Sequence, residues 1–303
     1  MSWVDRISKI IHAFHSSPHD FDRFDLSKIG TGEGAQVYGH GLYFAENPEI
    51  SGKGGHYYNQ FSHRMMRDLG PEGQALYALK QAGGDRAQAV AATEAYIDRL
   101  NRWAGNEQAS TPAGRVMAAD DLAKVQARLD LLKSDKIIGP KTYEVNINAD
   151  PNTFLDWDKR LSAQPKFVQS VLKDIVPKDN MPSFMQQFEQ GTMPGRAAYW
   201  GLGEPAEASQ ALNEAGIPGI SYFDANSRST ADLQRRLDVL QSSPNAEKYK
   251  SQIEGLQTQL SGLPPPTSNY VVFDPNIVDI MKKYSIPGLG LGALYEQGDY
   301  GNE

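Results

Sequence analysis

The chain reads as an α+β protein with mostly antiparallel strands, and two patterns carry that reading. Short runs rich in Val, Ile, Tyr and Phe are scattered along its 303 residues, bordered by Gly, Pro, Asn or Asp as strands are. Two long blocks with apolar residues at helical spacing interrupt them. A helix after every strand would predict a doubly wound parallel sheet, so the absence of that alternation predicts antiparallel pairing.

Five runs are expected as strands: Ile10 to His15, Gly41 to Ala45, Tyr143 to Ile147, Ile217 to Phe223 and Asn269 to Phe273. The first helical block covers about residues 61–136. Within it Val90, Ile97 and Leu100 share a face, and Leu122, Val125, Leu129 and Leu132 form a second stripe. The loop Ala104 to Gly114 separates these two helices. The second block covers about residues 229–262, with Leu233, Leu237 and Leu240 on one helix and Tyr249, Ile253, Leu256 and Leu260 on the next. Ser243-Pro244 lies between them, and Gly262 with Pro264-Pro265-Pro266 ends the pair. Both blocks read as helical insertions in one domain of residues 1–285, followed by a glycine-rich, loosely ordered tail at 286–303.

Composition narrows the function. A net charge of −7 and a pI near 5.4 argue against a protein that coats nucleic acid through a broad basic surface. The chain has no cysteine, which excludes disulfides, thiolate metal sites and a cysteine nucleophile. Such a chain suits a reducing cytoplasm, and equally a protein that must unfold for delivery. No apolar run approaches the ~20 residues of a membrane-spanning helix. The first residues, MSWVDRISKIIHAF, lack the long apolar core and small-residue cleavage site of a secretory signal. A soluble protein of a bacterial cytoplasm is expected, with no membrane partner.

Two motifs carry chemistry. His15-Ser16-Ser17 ends the first apolar run, and Gly39-His40-Gly41-Leu42-Tyr43-Phe44-Ala45 forms the second. Taken singly, the histidine would be read as structural and the tyrosine as core. Gly39 and Gly41 change that weighting, because positions without side chains let backbone approach a ligand closely. Together the motifs resemble the NAD-binding half of ADP-ribosyltransferases of the poly(ADP-ribose) polymerase type. The whole run is similar to the ADP-ribosyltransferase-like domain of large polyvalent proteins from bacteriophages and mobile elements.

The resemblance implies an ADP-ribosyltransferase fold, with two small, mostly antiparallel sheets forming an NAD cleft. It covers about half the chain: residues 10–60, then pieces at 141–160 and 210–284. It implies that His15 hydrogen-bonds the adenine ribose, with Ser16 and Ser17 as further polar contacts and Gly41 beside the ligand. Tyr43 would stack on nicotinamide, and Tyr57, in preference to Tyr58, would close its other face. The family's third element is a glutamate opening the last strand. Here the run is Ser268-Asn269-Tyr270-Val271-Val272-Phe273-Asp274, and Asn269 stands where that glutamate belongs. An amide can still accept or donate a hydrogen bond, but it carries no negative charge for a ribosyl cation. Glu33, Glu46 or Asp224 could supply a carboxylate instead, although each taken alone reads as a solvated surface acid. Arg228 could meet a phosphate or simply face solvent.

Other readings are weaker. His12, His15 and His19 could suggest a metal, but on a strand His12 and His15 face opposite sides, so none is expected. The run from Gly30 spells G-x-G-x-x-A, yet the polar segment before it cannot be the buried strand of a dinucleotide fold. Gly52-Lys53 is no phosphate loop, since Gly54 replaces the required Ser or Thr. The expected activity is mono-ADP-ribosylation, with His15, Tyr43 and Asn269 catalytic and NAD as co-substrate. The acceptor is a macromolecule, protein rather than nucleic acid, as a phage, toxin or effector protein would modify. NAD glycohydrolysis and an inactive NAD- or ADP-ribose-binding module are the alternatives.

Overall fold

Seven strands form one mixed sheet in this computed structural model, in the order β4-β5-β6-β2-β1-β3-β7. The structure describes residues 10–30, 36–52, 54–68, 70–106, 111–178, 181–224 and 227–285. The strands are β1 (Ile11–Ser17), β2 (Leu42–Ala45), β3 (Lys141–Ile147), β4 (Leu155–Asp156), β5 (Gly219–Phe223), β6 (Ser268–Val272) and β7 (Val278–Ser285). All five expected strands are present, to within a few residues at their ends. The expected pair of small sheets is corrected to a single one. The reason is visible at β1 and β2, whose antiparallel pairing through Phe14 and Ala45 makes the sheet continuous there. Pairing of β5, β6, β2 and β1 is antiparallel, while β4 runs parallel to β5.

The helices are α1 (Pro48–Ser51), α2 (His56–Arg67), α3 (Pro71–Gln81), α4 (Arg86–Ala104), α5 (Pro112–Lys133), α6 (Lys166–Ile175), α7 (Pro182–Glu189), α8 (Gly195–Trp200), α9 (Pro205–Glu214), α10 (Ser227–Gln241) and α11 (Lys250–Ser261). Among the described residues no helix is long and apolar enough to cross a membrane.

The chain divides into two compact units and passes between them five times, within β1, β3 and β7 and after Asp22 and Asn47. One unit holds the described parts of Met1–Phe14, Arg23–Asn47 and Val145–Asp279. Its core gathers Leu155 of β4, Ile220 of β5 and Val271 of β6 with Val168, Leu172, Tyr199 and Leu212 from α6, α8 and α9, all essentially unexposed. Burying side chains of this size stabilises the unit by roughly 1.5–3 kcal/mol each. Helices α6 to α9 were not expected from the sequence. Proline precedes or opens each of them, at Pro165, Pro182, Pro194 and Pro205, where a missing N–H costs the helix nothing.

The other unit holds His15–Asp22, Pro48–Glu144 and the described part of Ile280–Glu303. Its helical block holds four helices, α2 to α5, where the sequence predicts two. Asp85 caps α4 by accepting from the Gln88 N–H at 3.0 Å, and Thr111 caps α5 by accepting from the Gly114 N–H at 3.1 Å. On α5, Val125, Leu129 and Leu132 are buried as the stripe predicts. On α4 the buried face is Ala89 and Thr93, with Val90, Ile97 and Leu100 only half-buried. Thr93 tolerates burial because its hydroxyl donates to the Ala89 carbonyl at 2.8 Å. The expected second pair of helices is also present, as α10 packed on α11. The tail at 286–303, Glu33 and Lys53 lie outside the described residues.

Candidate functional site

Strand register places the first group of expected residues. Tyr43 pairs with Val271, and Ala45 with Asn269, across β2 and β6. Residues opposite one another share a face, and so do residues two apart on one strand. Tyr43 and Asn269 therefore project from the same face of the sheet. On the other side of β6, Tyr222 of β5 stands directly opposite Asn269 and shares that face too. Asn269 thus sits between a small neighbour, Ala45, and a large aromatic one. Its Oδ1 is buried and has no hydrogen-bond partner. An unpaired buried acceptor costs about 1–3 kcal/mol.

Aromatic rings crowd this face. Tyr38 stacks on Tyr222 with centroids 3.7 Å apart and planes 7° from parallel, and Trp157 meets Tyr38 edge-on at 5.6 Å. The Arg228 guanidinium, at the start of α10, lies 5.6 Å from the centre of the Tyr38 ring and also bonds its hydroxyl. Cation and ring attract each other through the negative face of the π-system. The Tyr43 hydroxyl donates to the Gly39 carbonyl at 2.8 Å and accepts from the Tyr38 N–H at 3.2 Å. Tyr43 therefore fixes the loop that carries Tyr38. From its far end, the Tyr199 hydroxyl accepts from the His40 N–H at 3.1 Å. Gly39 has a φ of +116°, and a side chain there would strike Ile220 and Tyr199. A side chain on Gly41 would lie 2.7 Å from the Val272 carbonyl oxygen, so the close approach seen at Gly41 is to β6.

Two of the substitute acids are committed elsewhere. The Glu46 carboxylate accepts from the Ser268 N–H and from the Tyr270 hydroxyl, each at 2.8 Å. Burial, and then the Glu46 charge, push the Tyr270 phenol well above its usual range. Asp224, expected as a surface acid, is instead 1% exposed. It accepts from the Ser227 N–H at 2.7 Å and from the Thr267 hydroxyl, tying α10 to the segment before β6. A fourth acid was not foreseen. Asp158, next to Trp157, accepts from the Phe223 N–H at 3.1 Å. Burial is the main cause that raises its carboxyl above the ordinary 3.8.

A raised carboxyl has a defined effect on stability. Between 3.8 and the raised value the folded chain binds more protons than the unfolded one, so this group lowers stability as pH climbs through that window. Asp158→Asn keeps an acceptor for Phe223 and removes the charge. It is expected to melt higher than the parent at neutral pH, with a gain of ~1 kcal/mol or less because solvent screens a half-exposed group. The difference should vanish in melts taken below the ordinary carboxylate value.

The second group of expected residues lies in the other unit. His15, half-buried on β1, faces the rings of Phe21 and Tyr143, each centred 6.3 Å away. Those two rings stack on each other at 4.2 Å, and the Tyr143 hydroxyl bridges the Phe21 N–H and the His19 carbonyl. Ser16 is buried and donates to the Ser51 carbonyl at 2.9 Å; Ser17 is buried and accepts from the His19 N–H at 3.1 Å. Both hydroxyls hold the chain at the end of β1. Tyr58 is 3% exposed and belongs to the core, whereas Tyr57 is 38% exposed on the first turn of α2. Of the two tyrosines, only Tyr57 presents its ring to solvent. Among the described residues no group of three or more His, Asp or Glu could hold a metal ion.

The two groups fall in different units. His15, Ser16, Ser17 and Tyr57 belong to one, and Gly41, Tyr43 and Asn269 to the other. Sequence reasoning missed Tyr38, Trp157, Asp158 and Tyr222. They meet through the β4–β5 and β5–β6 pairings and the loop tied down by Tyr43, none of which leaves a local signal. No family model matches the chain, and comparison with curated proteins and with solved structures finds no match.

Proposed function

We propose that this protein breaks the nicotinamide–ribose bond of NAD and transfers ADP-ribose to a macromolecular acceptor, as a divergent ADP-ribosyltransferase-like protein. The motif around His15 and the motif around Tyr43 support the reading, and the unpartnered Oδ1 of Asn269 on the face of Tyr43 carries it. In the reaction the C1′–N bond breaks with its electron pair leaving on nicotinamide, which departs neutral. The ribosyl cation left behind is captured at C1′ by an acceptor nucleophile that gives up a proton. Asn269 accepts a hydrogen bond from a ribose hydroxyl and orients the sugar. Tyr43 offers its ring to nicotinamide, and His15 binds the adenine ribose. A protein acceptor in a bacterial cytoplasm, reached by phage or effector delivery, fits the acidic, cysteine-free chain.

A second reading is favoured by one set of contacts. With Asn269 neutral and both Glu46 and Asp224 committed to backbone and hydroxyl donors, the described residues supply few carboxylates for a cation. That arrangement suits a module that binds NAD or ADP-ribose without turnover. Incubation of the full chain with NAD, followed by nicotinamide assay and intact-mass analysis of candidate targets, separates the cases. Release with a mass gain on a target supports transfer, and release without one supports glycohydrolysis. Binding without release supports the module, and neither binding nor release removes the proposal.

A further inference from the structure

A cleft of about 300 Å³ opens in the helical block, in the unit that contains α1 to α5. Gln74 of α3, Tyr96 of α4 and Asp121, Lys124, Val125 and Arg128 of α5 line it. None of these residues belongs to the group proposed to bind NAD.

Arg128 is the unusual member. Its Nε is buried without a hydrogen-bond partner, and among the described residues no ion pair to its guanidinium is seen. The Tyr96 ring lies 5.8 Å from the guanidinium carbon. Arg99 lies over the same ring at 5.5 Å, so two cations share one aromatic face system. Burial pushes the Arg128 guanidinium down from its usual range. Lys124, by contrast, is already tied to Asp120 at 2.6 Å. A guanidinium that lines a cleft is the ordinary receptor for an oxyanion, which it can grip with parallel N–H groups.

The size and lining say what carries the anion. The volume exceeds that of a bare ion and lies at the small end of organic-ligand pockets. Val125 and the Tyr96 ring supply apolar surface, while Gln74 and Asp121 can meet a polar substituent. We propose that this cleft binds a small one-ring organic anion, a carboxylate or phosphate ester, with its charged group on Arg128. The site is independent of the NAD reading and would stand if that reading failed.

Thermal melts and calorimetry on the full chain test it with phenyl phosphate, benzoate and inorganic phosphate. Phenyl phosphate or benzoate should raise the melting temperature of the parent, and inorganic phosphate should bind more weakly because it lacks the ring. Arg128→Met should melt higher than the parent without ligand, since a buried unpaired donor is gone, yet bind the aromatic anions at least about tenfold more weakly. Arg128→Lys, which keeps charge but loses the fork, should also bind weakly. If Arg128→Met fails to fold, the Arg128 Nε–H resonance of the parent takes its place and should shift on titration. The two aromatic probes distinguish carboxylate from phosphate. Inorganic phosphate binding as tightly as phenyl phosphate would refute the ring. No response to any probe at ~10 mM, or equal affinity in Arg128→Met, would overturn the site.

Discussion

Asn269→Glu is expected to raise nicotinamide release from NAD by roughly 10- to 100-fold, with NAD affinity changed by only a few fold. The parent amide can orient a ribose hydroxyl but cannot offset the positive charge that grows on the sugar as nicotinamide leaves. A carboxylate in the same place acts mainly in the transition state, so it changes rate more than binding. The position suits it: Asn269 lies on the face of Tyr43, beside the small Ala45, with its acceptor atom unengaged. Glu46 and Asp224 each accept two hydrogen bonds and Asp158 accepts one, from the Phe223 N–H, so Asp158 is the least committed of these three acids. If Asp158 already supplies the charge, the new glutamate would be repelled and its own carboxyl raised, and the reaction would slow. Steady-state nicotinamide assays on Asn269→Glu, Asn269→Ala and Asp158→Asn decide between these outcomes. A rate for Asn269→Glu equal to that of Asn269→Ala would show that this position does not face the reacting sugar.

His15→Ala and Tyr43→Ala should each weaken NAD binding by roughly 5- to 150-fold, the range expected when a desolvated polar contact worth ~1–3 kcal/mol is lost. The structure requires a control for Tyr43, because its hydroxyl also anchors the Tyr38–Gly39 loop. Tyr43→Phe keeps the ring and removes those two bonds. It should retain NAD affinity while losing ~1 kcal/mol or more of stability. Calorimetry and melts together therefore separate stacking from anchoring. Unchanged affinity in the double variant His15→Ala with Tyr43→Ala, still folded, would dismiss the NAD assignment for both residues.

The legible parts of the chain were those with local causes. Each of the five expected strands is a run of β-branched and aromatic residues with turn residues at its borders. The stripe Val125, Leu129 and Leu132 was readable because a helix repeats every few residues. β4 was too short to register, and β7 reads Val278-Asp279-Ile280-Met281-Lys282-Lys283, whose lysines mask its alternation. Two short sheets became one because pairing order depends on contacts between residues far apart in the chain. The site divides in the same way. Asn269 and Tyr43 stand in motifs that a single segment contains, whereas the placing of Tyr222 beside Asn269 follows from a register that no single segment contains. Asp224 was misjudged for a related reason: its burial depends on Thr267, some forty residues later.

That dependence on distant pairing sets a schedule for synthesis. Glu46 and Tyr270 meet across 224 positions of chain, and Tyr43 has no β6 to lie against until Val271 is made. Closing so long a loop costs little extra at equilibrium but slows folding, since the entropy is lost before the contacts form. On the ribosome, most of the chain emerges before β2 and β6 can pair, at a pace of several residues per second. A product that terminates before residue 268 therefore never acquires the face that Tyr43 shares with Asn269.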